Sequence, residues 1–132
     1  MRAALIAFLL SIASQAEATE FLLYTEDNQF LGCWRCGQYN SDSICNEYGS
    51  HGSEYNSNSI WNEYGTYGSE YSSESPWNEY SSSAPKLFDT GGNYYGRFSI
   101  NIYAGFDLSE NLKRLYEAAN GNLAVVRKRL CD

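Results

Sequence analysis

Four cysteines, one histidine and a regular series of glutamates and tyrosines are the residues of this chain with chemistry to offer. Cys33-Trp34-Arg35-Cys36 has the spacing of a dithiol redox motif, which works when its nucleophilic Cys sits at a helix N-terminus that lowers its pKa. Gly37-Gln38-Tyr39-Asn40-Ser41 follows and does not read as a helix, so redox chemistry is not expected. Cys33, Cys36, Cys45 and His51 also form a C-x2-C-x8-C-x5-H series that would suit tetrahedral zinc. His51, however, stands where a second copy of the same sequence unit has Tyr67, as ordinary variation at a ring-bearing position. Zinc through these four residues is therefore the alternative, and the expectation is no cofactor. Calcium meets the same test: Glu47, Glu54, Glu63, Glu70, Glu74 and Glu79 recur, but without D-x-D-x-D-G loops or GGxGxD turns. They read as a solvated acidic face.

Hydrolytic chemistry has no better footing. Serine is abundant, yet no G-x-S-x-G elbow occurs. A glycosidase needs two carboxyls about 5–10 Å apart in a deep pocket, and a shallow surface is expected instead. The chain is read as non-catalytic. What remains is the aromatic set Tyr48, Tyr55, Trp61, Tyr64, Tyr71, Trp77 and Tyr80, which recurs in phase and is the expected binding surface. Aromatic faces stack on sugar rings or apolar groups at modest entropy cost, and repetition adds avidity.

These residues must be held by 132 residues, a length that favours one domain. With 9 basic against 16 acidic side chains the formal charge is −7, which removes the electrostatic case for nucleic acid. Residues 1–18 read as a signal peptide: Arg2, an apolar run from Ala3 to Ile12, and Ala16-Glu17-Ala18 as the cleavage site. Cleavage removes one charge of each sign. No later apolar run approaches the roughly 20 residues of a membrane span. A periplasmic or secreted product without a transmembrane segment is expected.

The positioning elements are repetitive. Ser43–Asn58 and Ser59–Glu74 are identical at 11 of 16 positions, and a truncated third copy starts at Ser75. Tyr39, Tyr55 and Tyr71 are 16 apart, as are Tyr48, Tyr64 and Tyr80. The flanks match each other at an offset of 64: the segment from Leu23 to Gly32 aligns with that from Leu87 to Gly96. Each flank reads as a β-hairpin around a polar turn, and alternation from Arg97 to Tyr103 puts Phe98, Ile100 and Ile102 on one face. Between Gly37 and Pro85 the only aliphatic residues are Ile44, Ile60 and Ala84, so burial there must come from rings. Short strands and turns stacked between the hairpins are expected.

The C-terminal piece differs. Asp107-Leu108-Ser109-Glu110 fits a capping box, Leu108, Leu112, Leu115, Tyr116 and Ala119 follow helical spacing, Gly121 ends the helix, and Asn122 caps a second one. Four cysteines in an exported chain of this size form two disulfides. Residues three apart in a strand lie about 10 Å from each other, too far for a bridge. Cys36 with Cys45, and Cys33 with Cys131, is the expected pairing, the second closing a long loop.

The pattern SxSIxNxYGxYGSxYSxxSxxN, framed by LYTEDNQFLG and LFDTGGNYYG, resembles a family of uncharacterised exported bacterial proteins, over roughly Phe21 to Tyr103. The resemblance implies export and supplies no activity. It also implies that Tyr, Gly, Ser and Asn form the framework, since Lys or Pro often stands in that family where this chain has the Glu of its NEY and SEY units. The expected architecture is mainly β with a C-terminal helix. Two related hairpins flank a 16-residue repeat array, with boundaries at 1–18, 19–104 and 105–132. The expected function is a non-catalytic exported or envelope-associated module, binding a cell-surface polysaccharide or envelope protein through its aromatic surface. The alternative is a disulfide- or metal-stabilised exported module that binds zinc or calcium.

Overall fold

Apolar residues on either side of a polar turn fold each flank back on itself, and the two flanks do so in the same way. A computed structural model describes residues 19–104 and 107–132, so residues 1–18, where a signal peptide is expected, lie outside the described residues. Strands β1 (Phe21–Tyr24) and β2 (Phe30–Trp34) form the first hairpin, β3 (Lys86–Asp89) and β4 (Tyr94–Arg97) the second. Thr25 N donates to Gln29 O at 2.8 Å, and Asp89 N to Asn93 O at 3.0 Å. Thr25 Oγ1 accepts from Gln29 N, as Asp89 Oδ1 accepts from Asn93 N, both at 2.9 Å. Asn28 and Gly92, again 64 apart, both take positive φ, 66° and 85°. The duplication seen in sequence thus extends to single hydrogen bonds.

The hairpins join through their first strands into an antiparallel sheet of order β2-β1-β3-β4. Leu23 pairs directly with Leu87, its own counterpart at an offset of 64, so a local two-fold axis passes between them. Both are fully buried. Trp34 and Phe98, another pair 64 apart, meet edge to face at 5.7 Å. Helices α1 (Asp107–Ala118) and α2 (Leu123–Cys131) complete a small, mainly β protein. As expected, Gly121 takes φ 73° between them and Asn122 Oδ1 accepts from Ala124 N and Val125 N to start α2. Leu112, Ala119, Leu123 and Val126 share one core with Leu23, Trp61, Trp77 and Leu87.

Residues 37–85 carry turns. No strand forms among them, and the only strand-like contact there is an isolated bridge from Cys33 to Ser43. The expected short strands are absent because Ser and Asn side chains bond the local main chain in place of a cross-strand ladder. Ser43, Ser59 and Ser75 Oγ accept from the amides of Cys45, Trp61 and Trp77 at 3.0, 3.1 and 3.0 Å. Asn46, Asn62 and Asn78 each accept from the amide of the Tyr two residues on, and each Nδ2 donates to the carbonyl six residues back. Gly68 is required here: a Cβ would run into the main-chain oxygen of Asn62.

The same turn appears once more at Ser99, whose Oγ accepts from Asn101 N while Asn101 Oδ1 accepts from Tyr103 N. This corrects the strand expected over Arg97 to Tyr103. Phe98 and Ile100 are buried, but the turn swings Ile102 out to 38% exposure. The disulfides are also corrected: Cys33 pairs with Cys36, and Cys45 with Cys131. The chain is not extended after Cys33, because Arg35 at φ 63° and Gly37 at φ 97° curl it into a tight turn. That turn brings the Cα atoms of Cys33 and Cys36 within 5.9 Å.

Candidate functional site

The in-phase rings divide into two groups. Trp61 and Trp77, expected on the binding surface, are each only 2% exposed. Their indole N–H groups donate to Ile44 O at 2.7 Å and Ile60 O at 2.6 Å, so each ring is tied to the turn sixteen residues earlier. Pro76 O, the next acceptor in register, receives Ile100 N at 2.8 Å, a main-chain donor that finishes the series. The two indoles stack at 5.4 Å, and Trp77 stacks on Tyr116 of α1 at 5.7 Å and 7°. A buried indole needs a partner for its N–H, and these carbonyls provide it. The tryptophans are frame.

Tyr48, Tyr55, Tyr64, Tyr71 and Tyr80 are the opposite, and with Tyr39 they are 84 to 91% exposed. Each follows a Glu. The carboxylates of Glu47, Glu54, Glu63 and Glu70 hold the phenols of Tyr48, Tyr55, Tyr64 and Tyr71 above their ordinary value, first by hydrogen bonding and then by charge. Tyr116 is also raised, by burial first and then by the charges of Glu70 and Glu63.

These Glu–Tyr pairs are the teeth of a comb facing the two helices. Between the teeth at Tyr55 and Tyr64 lies a cleft of ≈ 680 Å³. Between Tyr64 and Tyr71 lies one of ≈ 740 Å³, and between Tyr71 and Tyr80 one of ≈ 500 Å³. Adjoining clefts share walls, so together they form one groove. Trp61, Trp77 and Tyr116 line its depth, and Asn120 to Ala124 form part of the far wall. The helices are fastened along the turns in antiparallel sense. Tyr116 stacks on Trp77, Leu123 lines the cleft with Trp61, and Cys131 is bonded to Cys45. Cys45 occupies the position of Trp61 and Trp77 in the first copy, so a disulfide stands there in place of an indole. Arg127 adds hydrogen bonds to Gly52 O at 2.7 Å and Glu47 at 3.5 Å.

The alternative metal set is taken apart by the disulfides, which leave no thiolate at Cys33, Cys36 or Cys45. His51 packs edge-on against Phe30 at 5.3 Å, and burial lowers its pKa against a smaller opposing effect of Asp42. Tyr67, its counterpart, reaches the same hairpin turn with its hydroxyl 3.5 Å from Gln29 Oε1. Among the described residues no three His, Cys, Asp or Glu side chains come together as a metal group, and no helix is long and apolar enough to cross a membrane. Sequence reasoning missed Tyr116 as a groove residue; its helical spacing marked it only as core-facing. It also missed that the acidic series and the tyrosines share one edge, although the repeated E-Y dipeptide was a visible signal.

No family model, curated protein or solved structure matches the chain. What its own fold defines is a disulfide-bonded, tyrosine-rich, mainly β protein with a ring-lined groove.

Proposed function

We propose that this chain is a non-catalytic exported module that binds an extended polymer along its comb of exposed tyrosines. Residues 37–85 act as a repeat array in which buried indoles set the spacing and exposed phenols do the binding. One observation carries the reading: the tyrosines are at least 84% exposed at regular intervals while the tryptophans of the same turns are buried. Large rings left almost wholly in water gain nothing for folding, and a contiguous row of them is what a docking surface offers. Export is supported by two disulfides with no free cysteine among the described residues, the state favoured by oxidising compartments. Envelope polysaccharide fits the surface better than a compact protein, because the groove is shallow, elongated and toothed.

The test is retention on insoluble peptidoglycan and on cell-surface polysaccharides. A variant with Tyr55, Tyr64, Tyr71 and Tyr80 changed to Ser should fold as the parent and pass through unretained. Equal retention of variant and parent removes the tyrosines from the binding surface.

A further inference from the structure

We propose that the groove takes an extended polymer of amino sugars, whose ammonium groups meet the carboxylates of Glu54, Glu63 and Glu70. This rests on the tyrosine surface being the binding surface and names the class of ligand it selects.

The argument begins with charge. The two inner clefts are lined by Glu54, Glu63, Glu70 and Glu117 and by no Lys, Arg or His. Lys113 reaches Glu79 at 3.8 Å and Glu117 at 3.9 Å. Glu54, Glu63 and Glu70 have no ion pair among the described residues. A groove with unpaired carboxylates at these three successive teeth repels an anionic polymer and favours a cationic one. One exposed pair at 4 Å in water is worth about 1 kcal/mol, so selection requires several pairs engaged along one chain.

Size and shape then choose the kind of cation. Clefts of ≈ 740 and ≈ 680 Å³ match the roughly 300–1,000 Å³ of sites for ring-sized ligands. They are far wider than a slot for a lysine side chain. The clefts are continuous past Tyr64 and Tyr71, so an occupant can pass from one to the next as a polymer does. At each tooth the carboxylate directly precedes an exposed ring. A pyranose can lie flat on the ring while an amine at its edge reaches the neighbouring carboxylate, and the ring face itself attracts an ammonium. A basic peptide would satisfy the carboxylates but leave the ring faces largely uncovered.

Calorimetric titration of the full chain tests this with three probes of equal length: a glucosamine hexamer, its fully N-acetylated counterpart and hexalysine, in mildly acidic low-salt buffer. The glucosamine hexamer should bind at least roughly tenfold more tightly than either competitor. Its affinity should fall as salt screens the carboxylates. A Glu63→Gln, Glu70→Gln double variant should lose roughly tenfold in affinity with an unchanged melting temperature, since both side chains are exposed. Equal binding of the two sugars overturns the amine selection and leaves the tyrosine surface standing. Hexalysine binding as tightly as the amino sugar overturns the choice of a sugar and makes the groove a basic-peptide site. If no probe binds while the parent is still retained on envelope polymers, the ligand class is wrong. If retention is also absent, both readings fall together.

Discussion

Two sets of aromatic rings share a sixteen-residue spacing and meet opposite fates. Trp61 and Trp77 are buried, stacked on one another and bonded to carbonyls of the preceding turn. The tyrosines three residues after and six residues before each Trp, namely Tyr64, Tyr80, Tyr55 and Tyr71, stand in water. The difference lies in what each ring is attached to. Each Trp follows a buried Ser–Ile or Ser–Pro pair and donates its indole N–H to a main-chain carbonyl of the preceding turn, which holds the ring inward. Each Tyr has its amide held by an Asn or Ser two residues back and has a Glu beside it, so the turn carries both side chains outward. Composition alone treats these rings as one class. Local hydrogen bonds separate them into frame and surface.

That separation breaks most visibly where the frame is interrupted. The Cys45–Cys131 bridge spans 86 residues and the Cys33–Cys36 bridge only 3. Loop entropy makes their contributions about 4–5 and about 2 kcal/mol respectively. Replacing Cys45 and Cys131 by Ala should therefore lower the urea midpoint much more than replacing Cys33 and Cys36. Trp77→Ala comes next, at about 3–5 kcal/mol, because the ring supports Trp61, Phe98 and Tyr116 together. Equilibrium denaturation of the single variant measures it directly.

A smaller effect belongs to His51. Its folded pKa is lowered from 6.5, so the unfolded chain takes up the proton more readily. Stability is fully present above pH 6.5 and is lost as pH falls from there toward the folded value. A His51→Phe variant should show a flatter dependence in that window, read from denaturation midpoints at neutral and mildly acidic pH. Asp89 acts lower on the scale. Its carboxylate accepts from Gly91 N, Asn93 N, Asn93 Nδ2 and Tyr95 Oη, and its folded pKa lies below 3.8, chiefly through Asn93. That stability persists until pH falls below 3.8 toward the folded value. Smallest of all is the surface: Tyr64→Ser should change stability by no more than about 0.5 kcal/mol, while weakening retention on polymer.

Much of the frame was legible. The offset of 64 identified both hairpins, and Leu23 and Leu87 turned out to be the very residues that pair across the axis. The caps at Gly121 and Asn122 placed the helices because capping is local chemistry. The two disulfides were legible but their pairing was not: a positive φ at a non-glycine residue, Arg35, leaves no mark in sequence, and without it Cys33 and Cys36 look too far apart. The turn at Ser99 had a signal that alternation obscured, since Ser99-Ile100 repeats the Ser–Ile start of Ser43 and Ser59. The burial of the tryptophans was hidden for a different reason. A sixteen-residue period belongs to neither strand nor helix, so it reveals spacing without telling which side of the chain faces inward.

The most direct test of the division between frame and surface is tyrosine nitration mapped by mass spectrometry, with and without a polymer that retains the protein. Tyr55, Tyr64, Tyr71 and Tyr80 should react freely in the unbound chain and become protected on binding. Tyr94, half-exposed on the hairpin away from the groove, should react alike in both. Protection confined to Tyr94, or no change at the four groove tyrosines in a polymer-bound sample, would contradict the account.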